Sequence, residues 1–171
     1  MRKTSRRAGL VGAVLFLILI HSVGCSIAKE SLAMLYFIQG NNDHKAGDFD
    51  SAIVNYTRAI ELDPNFGEAH NNRGNAYFIK GKVLEAIADY TEAIRIDPND
   101  YMAYYNRGNT YGWIHEFDKA ISDYNEAIRI NPNYAEAYYN RGLTYALKGD
   151  KGKAIMDIAR ALELNPRVGK E

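Results

Sequence analysis

Glu61-Leu62-Asp63-Pro64-Asn65 returns as Arg95-Ile96-Asp97-Pro98-Asn99, as Arg129-Ile130-Asn131-Pro132-Asn133 and as Glu163-Leu164-Asn165-Pro166. These prolines stand 34 residues apart, and the 171-residue chain has no others. A proline cannot donate a backbone hydrogen bond, and it pushes the residue before it out of helical space. Each copy of this stretch therefore reads as the end of a helix. Four helix ends at one fixed period mean a repeat array.

Other columns keep the same period. Gly40, Gly74, Gly108 and Gly142 form one, and Ala52, Ala86, Ala120 and Ala154 another. Ala59, Ala93, Ala127 and Ala161 follow, with tyrosines at 77, 111 and 145 and at 56, 90 and 124. Within a unit, two apolar-periodic segments are split by a break such as Lys45-Ala46-Gly47-Asp48. That pattern predicts a helix, a turn and an antiparallel helix. Gly47, Gly81 and Gly149 suit the left-handed end of the first helix, where the third unit has His115. Asp50 and Asp118 are expected to cap the second helix. The small residues let paired helices approach, and the tyrosines fill the wider gaps.

These residues resemble the tetratricopeptide repeat over 33–168, most closely in units two to four. Unit one departs from it, with Gln39 and Asp43 where the others hold arginine and tyrosine. The resemblance implies an all-α fold: a right-handed α-solenoid of four helix-turn-helix units, 33–66, 67–100, 101–134 and 135–168, with a tail at 169–171. It also implies a concave groove lined by the first helix of each unit. No single pair can bury its own apolar face, so stability comes from stacking.

The N-terminal stretch reads as an address. Arg2, Lys3, Arg6 and Arg7 precede a 13-residue apolar run from Ala8 to Ile20, the length of a signal-peptide core. Val23-Gly24-Cys25 resembles the cleavage site of a bacterial lipoprotein, although Ser22 stands where that family usually has an aliphatic residue. The expectation is a signal over 1–24, lipidation of Cys25 and a short linker over 25–32. Cleavage after Ala28 and retention as an anchor are the competing readings. In each of them the basic end stays on the cytoplasmic side and the repeats lie outside the cytoplasm. Ser26 after the cysteine, by the sorting habit of that family, implies the outer membrane of a Gram-negative cell.

Composition narrows the function classes. Charged residues make up 25% of the chain, an ordinary share that argues against bulk disorder. Of 21 basic residues four lie before Cys25, leaving 17 against 21 acidic ones, a net charge of −4. An acidic body opposes a nucleic-acid partner. One cysteine excludes an internal disulfide. His44, His70 and His115 lie in different units without metal-ligand spacing, so no metal or other cofactor is expected. No nucleophile motif or phosphate-cradling loop occurs, which points away from catalysis.

The expected partners are proteins or extended peptides. Asn72, Asn106 and Asn140 recur within Asn-Arg-Gly triplets, at a position that faces the groove in the tetratricopeptide family. Their amides could donate to and accept from a peptide backbone. Asn41, Asn75 and Asn109 add a second row, and Tyr105, Tyr139 and Trp113 should flank both. The lysines of the family's carboxylate-gripping variant are missing, with Phe37, Met102 and Asn106 in their places. Arg73, Arg107 and Arg141 are expected to reach nearby acids. The last helix carries Ile158 in place of Tyr56, Tyr90 and Tyr124, Ala159 in place of Thr57, Thr91 and Asn125, and Met156 in place of Ser122, which predicts an open apolar end face. Such a face suits a homodimer, or assembly into an envelope complex, as the alternative role.

Overall fold

The computed structural model describes residues 28–170. Among them are eight α-helices in four antiparallel pairs: α1 (28–45) with α2 (Phe49–Leu62), α3 (Gly67–Ile79) with α4 (Val83–Ile96), α5 (Tyr101–Trp113) with α6 (Phe117–Ile130), and α7 (Ala135–Leu147) with α8 (Lys151–Leu164). The chain is an all-α solenoid. The signal segment and Cys25 lie outside the described residues. The linker expected up to 32 is helical from residue 28. Ala28-Lys29-Glu30-Ser31-Leu32 holds no proline or glycine to stop the helix.

Each second helix ends as the proline stretch requires. Asp63, Asp97, Asn131 and Asn165 leave helical space. Their side chains accept from the backbone N–H two residues on, closing a turn over the proline. The first helices end in left-handed residues: Gly47, Gly81 and Gly149, and His115 at φ 62°. The strain at His115 costs about 1 kcal/mol.

The capping expectation needs correction. Asp48 and Asp150 are the N-caps of α2 and α8, accepting from Ser51 N–H and Lys153 N–H. Asp50 and Asp118 sit inside the first turn and reach the next unit, where they pair with Lys80 and Lys148. A carboxylate two positions past the cap points away from the free N–H groups, so it is available to a neighbour.

The core is small-residue packing around aromatic plugs. The alanine columns are buried, and Tyr56 and Tyr90 are among the largest side chains shut off from solvent. A Cβ on Gly40, Gly74 or Gly108 would fall 2.7, 2.7 or 2.9 Å from the ring of Tyr56, Tyr90 or Tyr124. The glycine column is the slot into which the tyrosine column fits. First helices touch along the array, α3 with α5 and α5 with α7, whereas the described second helices do not touch one another. The array therefore curves with its first helices on the inner side.

The end-face expectation is met only in part. Met156 is exposed, but so is Val54 at its register, so this column faces outward in any unit. Ile158 is half-buried against Gly142. Ala159 occupies the column of Thr57, Thr91 and Asn125, which accept hydrogen bonds from the following unit. Past α8 the chain turns back, and Val168 is buried with Ala135 and Ala161 beside Tyr139.

Gly108→Ala is expected to lower stability by about 1–3 kcal/mol, because the Tyr124 ring has nowhere to move. Gly112→Ala, whose Cβ would find nothing nearer than 3.7 Å, is expected to gain about 0.5 kcal/mol from helix propensity. Urea denaturation of the two variants measures both.

Candidate functional site on the inner face

The inner face is built by α1, α3, α5 and α7, and its side chains tie units together before they offer anything to a ligand. Tyr56, Tyr90 and Tyr124 donate their hydroxyls at 2.8 Å to the amide oxygens of Asn41, Asn75 and Asn109. Asn72 Nδ2 donates across the unit boundary to Asn41 Oδ1 at 2.9 Å, and Asn140 Nδ2 to Asn109 Oδ1 at 2.9 Å. Asn106 Nδ2 donates to Asn71 Oδ1 at 3.0 Å instead. The two asparagine rows are thus half-spent on the fold, not wholly free for a peptide backbone. Most of the other half remains. Among the described residues no hydrogen bond engages the Oδ1 of Asn72, Asn106 or Asn140, or the Nδ2 of Asn41 or Asn75.

The arginines do reach nearby acids, and they do more. Arg73 grips Asp89 of its own unit through Nε and Nη2 at 2.8 and 2.7 Å, and donates from Nη1 to Thr57 of the preceding unit at 3.0 Å. Arg107 does the same with Asp123 and Thr91, and Arg141 with Asp157 and Asn125. Each guanidinium therefore fastens three helices with a planar fork that lysine could not reproduce. Burial pushes the Asp89 carboxyl up, but the hydrogen bonds from Arg73 and His70 outweigh this and hold it below the usual carboxylate range. Unit one carries neither partner. There Gln39 and Asn55 both donate to Asp43, so two neutral amides hold a carboxylate in place of the ion pair.

Of the three expected flanking aromatics, only Trp113 is open, at 71% exposure. Tyr105 stacks edge-on against Tyr134 at 4.9 Å and accepts from Asn140 Nδ2. Tyr139 packs under the C-terminal turn. Trp113 stands edge-on to Phe78, with ring centroids 6.2 Å apart. The two rings border a cavity of about 360 Å³ that Phe117, Leu143 and Leu147 also line. Sequence reasoning missed these apolar walls. The available signal was Gly112, a gap in a column that holds His44 and Phe78 in earlier units. At the other end a cavity of about 270 Å³ is polar, lined by Asn41, His44, Lys45, Tyr56, Asn72 and Asn75. His44 Nε2 is buried without a hydrogen-bond partner.

Among the described residues, no group of three or more His, Cys, Asp or Glu is arranged to hold a metal ion. None of the described helices is long and apolar enough to cross a membrane.

Tetratricopeptide-repeat patterns match residues 40–81, 74–112, 116–149 and 135–168. The chain belongs to the tetratricopeptide repeat family. A crystal structure of MamA is similar, with 29% identity, a TM-score of 0.75 and coverage of 81% of both chains. The first tetratricopeptide domain of Spaghetti (RPAP3), bound to an HSP90 peptide, superposes with a TM-score of 0.69 at 27% identity, covering 70% of this chain and 95% of that one. Stress-induced-phosphoprotein 1 of Caenorhabditis elegans is 44% identical over 46 residues, 27% of this chain but only 14% of that protein. The two solved structures share the helix-pair frame described above.

The buried tyrosines make the array sensitive to alkali. Burial raises the Tyr56 hydroxyl from 10.0 to about 12, and lifts Tyr90 and Tyr124 further. A raised folded value means the stabilisation is complete below pH 10.0 and is lost as pH climbs through about 12. The helical circular dichroism signal is expected to hold to pH 10.0 and collapse above it, together with delayed phenolate absorbance. Early phenolate absorbance with the helices intact would contradict the buried Tyr–Asn pairs.

Proposed function

We propose that this chain is a non-enzymatic scaffold that binds proteins or extended peptides along its inner face. The observation that carries the reading is the pair of half-used amide rows. Acceptors at Asn72, Asn106 and Asn140 follow the unit boundaries, with donors at Asn41 and Asn75 in the neighbouring row, and a peptide backbone offers the complementary groups. The peptide held by the RPAP3 domain supports such a use of the frame. A terminal-carboxylate clamp is disfavoured here, because Phe37, Met102 and Asn106 replace its cations.

The same reading places the scaffold at a membrane outside the cytoplasm, held by a lipid on Cys25 or by the apolar run from Ala8 to Ile20. The sequence of the N-terminal stretch supports this, and Ser26 favours an outer membrane in a Gram-negative cell.

Partner proteins are to be captured on the immobilised repeats and identified by mass spectrometry. Changing Asn72, Asn106 and Asn140 together to alanine is then expected to weaken binding by about 0.5–1.5 kcal/mol for each hydrogen bond lost. It should also cost some stability, because the same amides join the units. Binding unchanged per folded molecule would return both rows to a purely structural role. For the anchor, Cys25→Ser should abolish both membrane attachment and incorporation of labelled fatty acid. A wild-type protein that takes up no label would refute lipidation.

A further inference from the structure

We propose that the cavity between α5 and α7 is a specificity pocket, taking one bulky apolar side chain of a partner segment whose flanking residues are acidic. The inference rests on the groove reading above and assigns it a partner chemistry.

Three observations carry it. The walls are apolar: Phe78, Trp113, Phe117, Leu143 and Leu147 line the cavity. Trp113 and Leu147 are 71% and 70% exposed, too open to serve the core. The polar groups at its floor are largely spent on the fold, the Asn140 Oδ1 excepted. Asn109 accepts from Tyr124 and Asn140, and Thr144 donates to the Asn140 carbonyl. Such a cavity rewards apolar bulk on its walls and leaves the Asn140 Oδ1 to the backbone of the same segment.

The cavity also departs from the repeat in one direction. Gly112 removes the side chain that His44 and Phe78 supply at its register. Leu143 replaces the asparagine of the other three units, and Leu147 stands where unit one has Lys45. A Cβ on Gly112 would meet nothing closer than 3.7 Å, so this glycine is not needed for helix packing. Nearby, at the register where Lys80 pairs with Asp50 and Lys148 with Asp118, the middle boundary has Ile114 and Leu84, the latter 77% exposed.

Charge selects the partner. The turns and first helical turns on this edge of units two to four hold Lys80, Lys82, Lys119, Lys148, Lys151 and Lys153. Lys80, Lys119, Lys148 and Lys153 pair with Asp50, Glu116, Asp118 and Asp150, so the edge keeps a small positive excess, Lys82 and Lys151 against Glu85, on a chain that is net negative from Cys25 onward. An apolar anchor flanked by glutamates or aspartates is favoured, and one flanked by lysines is repelled.

Trp113 is the chain's one tryptophan, so its emission reports the cavity directly. Short capped peptides with glutamates on both sides of one phenylalanine are the probe, titrated into the full chain. The expected result is a saturable blue shift. Replacing the phenylalanine by serine, or the glutamates by lysines, should weaken binding about tenfold or more, the scale of one buried aromatic side chain. Gly112→Phe, which copies Phe78, should abolish the shift with the helical signal unchanged. Leu147→Lys, copying Lys45, serves the same purpose if Gly112→Phe fails to fold. Equal binding of the lysine peptide overturns the charge argument, and binding that survives both pocket variants overturns the pocket. If that surviving binding is lost on changing the three asparagines to alanine, the groove reading stands alone. A shift driven by protein concentration, with dimers in the ultracentrifuge, assigns the cavity to a second copy and overturns the proposal. So does a shift seen only with phosphatidylglycerol vesicles.

Discussion

The architecture depends on one steric fit, a tyrosine ring lying where a side chain on the facing helix would begin. With Tyr90 only 2.7 Å from a hypothetical Cβ on Gly74, the two backbones can be this close only if that position has no side chain. The ring then carries its hydroxyl to the unit boundary, where Asn75 accepts it. The contact that closes a helix pair therefore also prepares the surface on which the next pair stacks. Without the glycine the ring could not enter, and without the ring the asparagine row would lose its anchor.

Around that fit, partners change together. Unit one loses the arginine and the aspartate at once, and Gln39 and Asn55 in their places donate to Asp43 instead. Unit four loses the tyrosine and the asparagine at once, and Ile158 and Leu143 stand in their places. The middle boundary exchanges a lysine–aspartate pair for Ile114 and Leu84. Removing one member of the arginine–aspartate or tyrosine–asparagine pairs would leave a largely buried charge or hydroxyl without a partner, which is costlier than replacing both. This explains how the boundaries can differ in chemistry while the helices keep one geometry.

The fold was legible because its signals are periodic. The prolines, glycines and alanines each mark a backbone event, and backbone events follow from residue type. The candidate site was less legible because its signals are relations. Asn72 reads as a solvated amide until Asn41 is known to lie within 2.9 Å of it. Asp50 reads as a cap until Lys80 proves to be nearby. The cavity beside Trp113 is formed by what Gly112 lacks, and periodicity shows what recurs more readily than what is missing. Val168 was hidden because it lies past the last helix, where the chain turns back over Tyr139.

None of the side-chain hydrogen bonds that join units spans more than 35 residues of sequence. Every such tie among the described residues is therefore closed within about one unit length. A growing chain can consolidate each pair as soon as the next first helix is made. The same locality makes the protein editable by whole units. Excising residues 67–100 would bring Arg107 to the place of Arg73, facing Thr57 with Asp123 at its own side, and the seam would carry the same staple as before. Length in such a molecule is a variable that recombination can change without redesigning the interior.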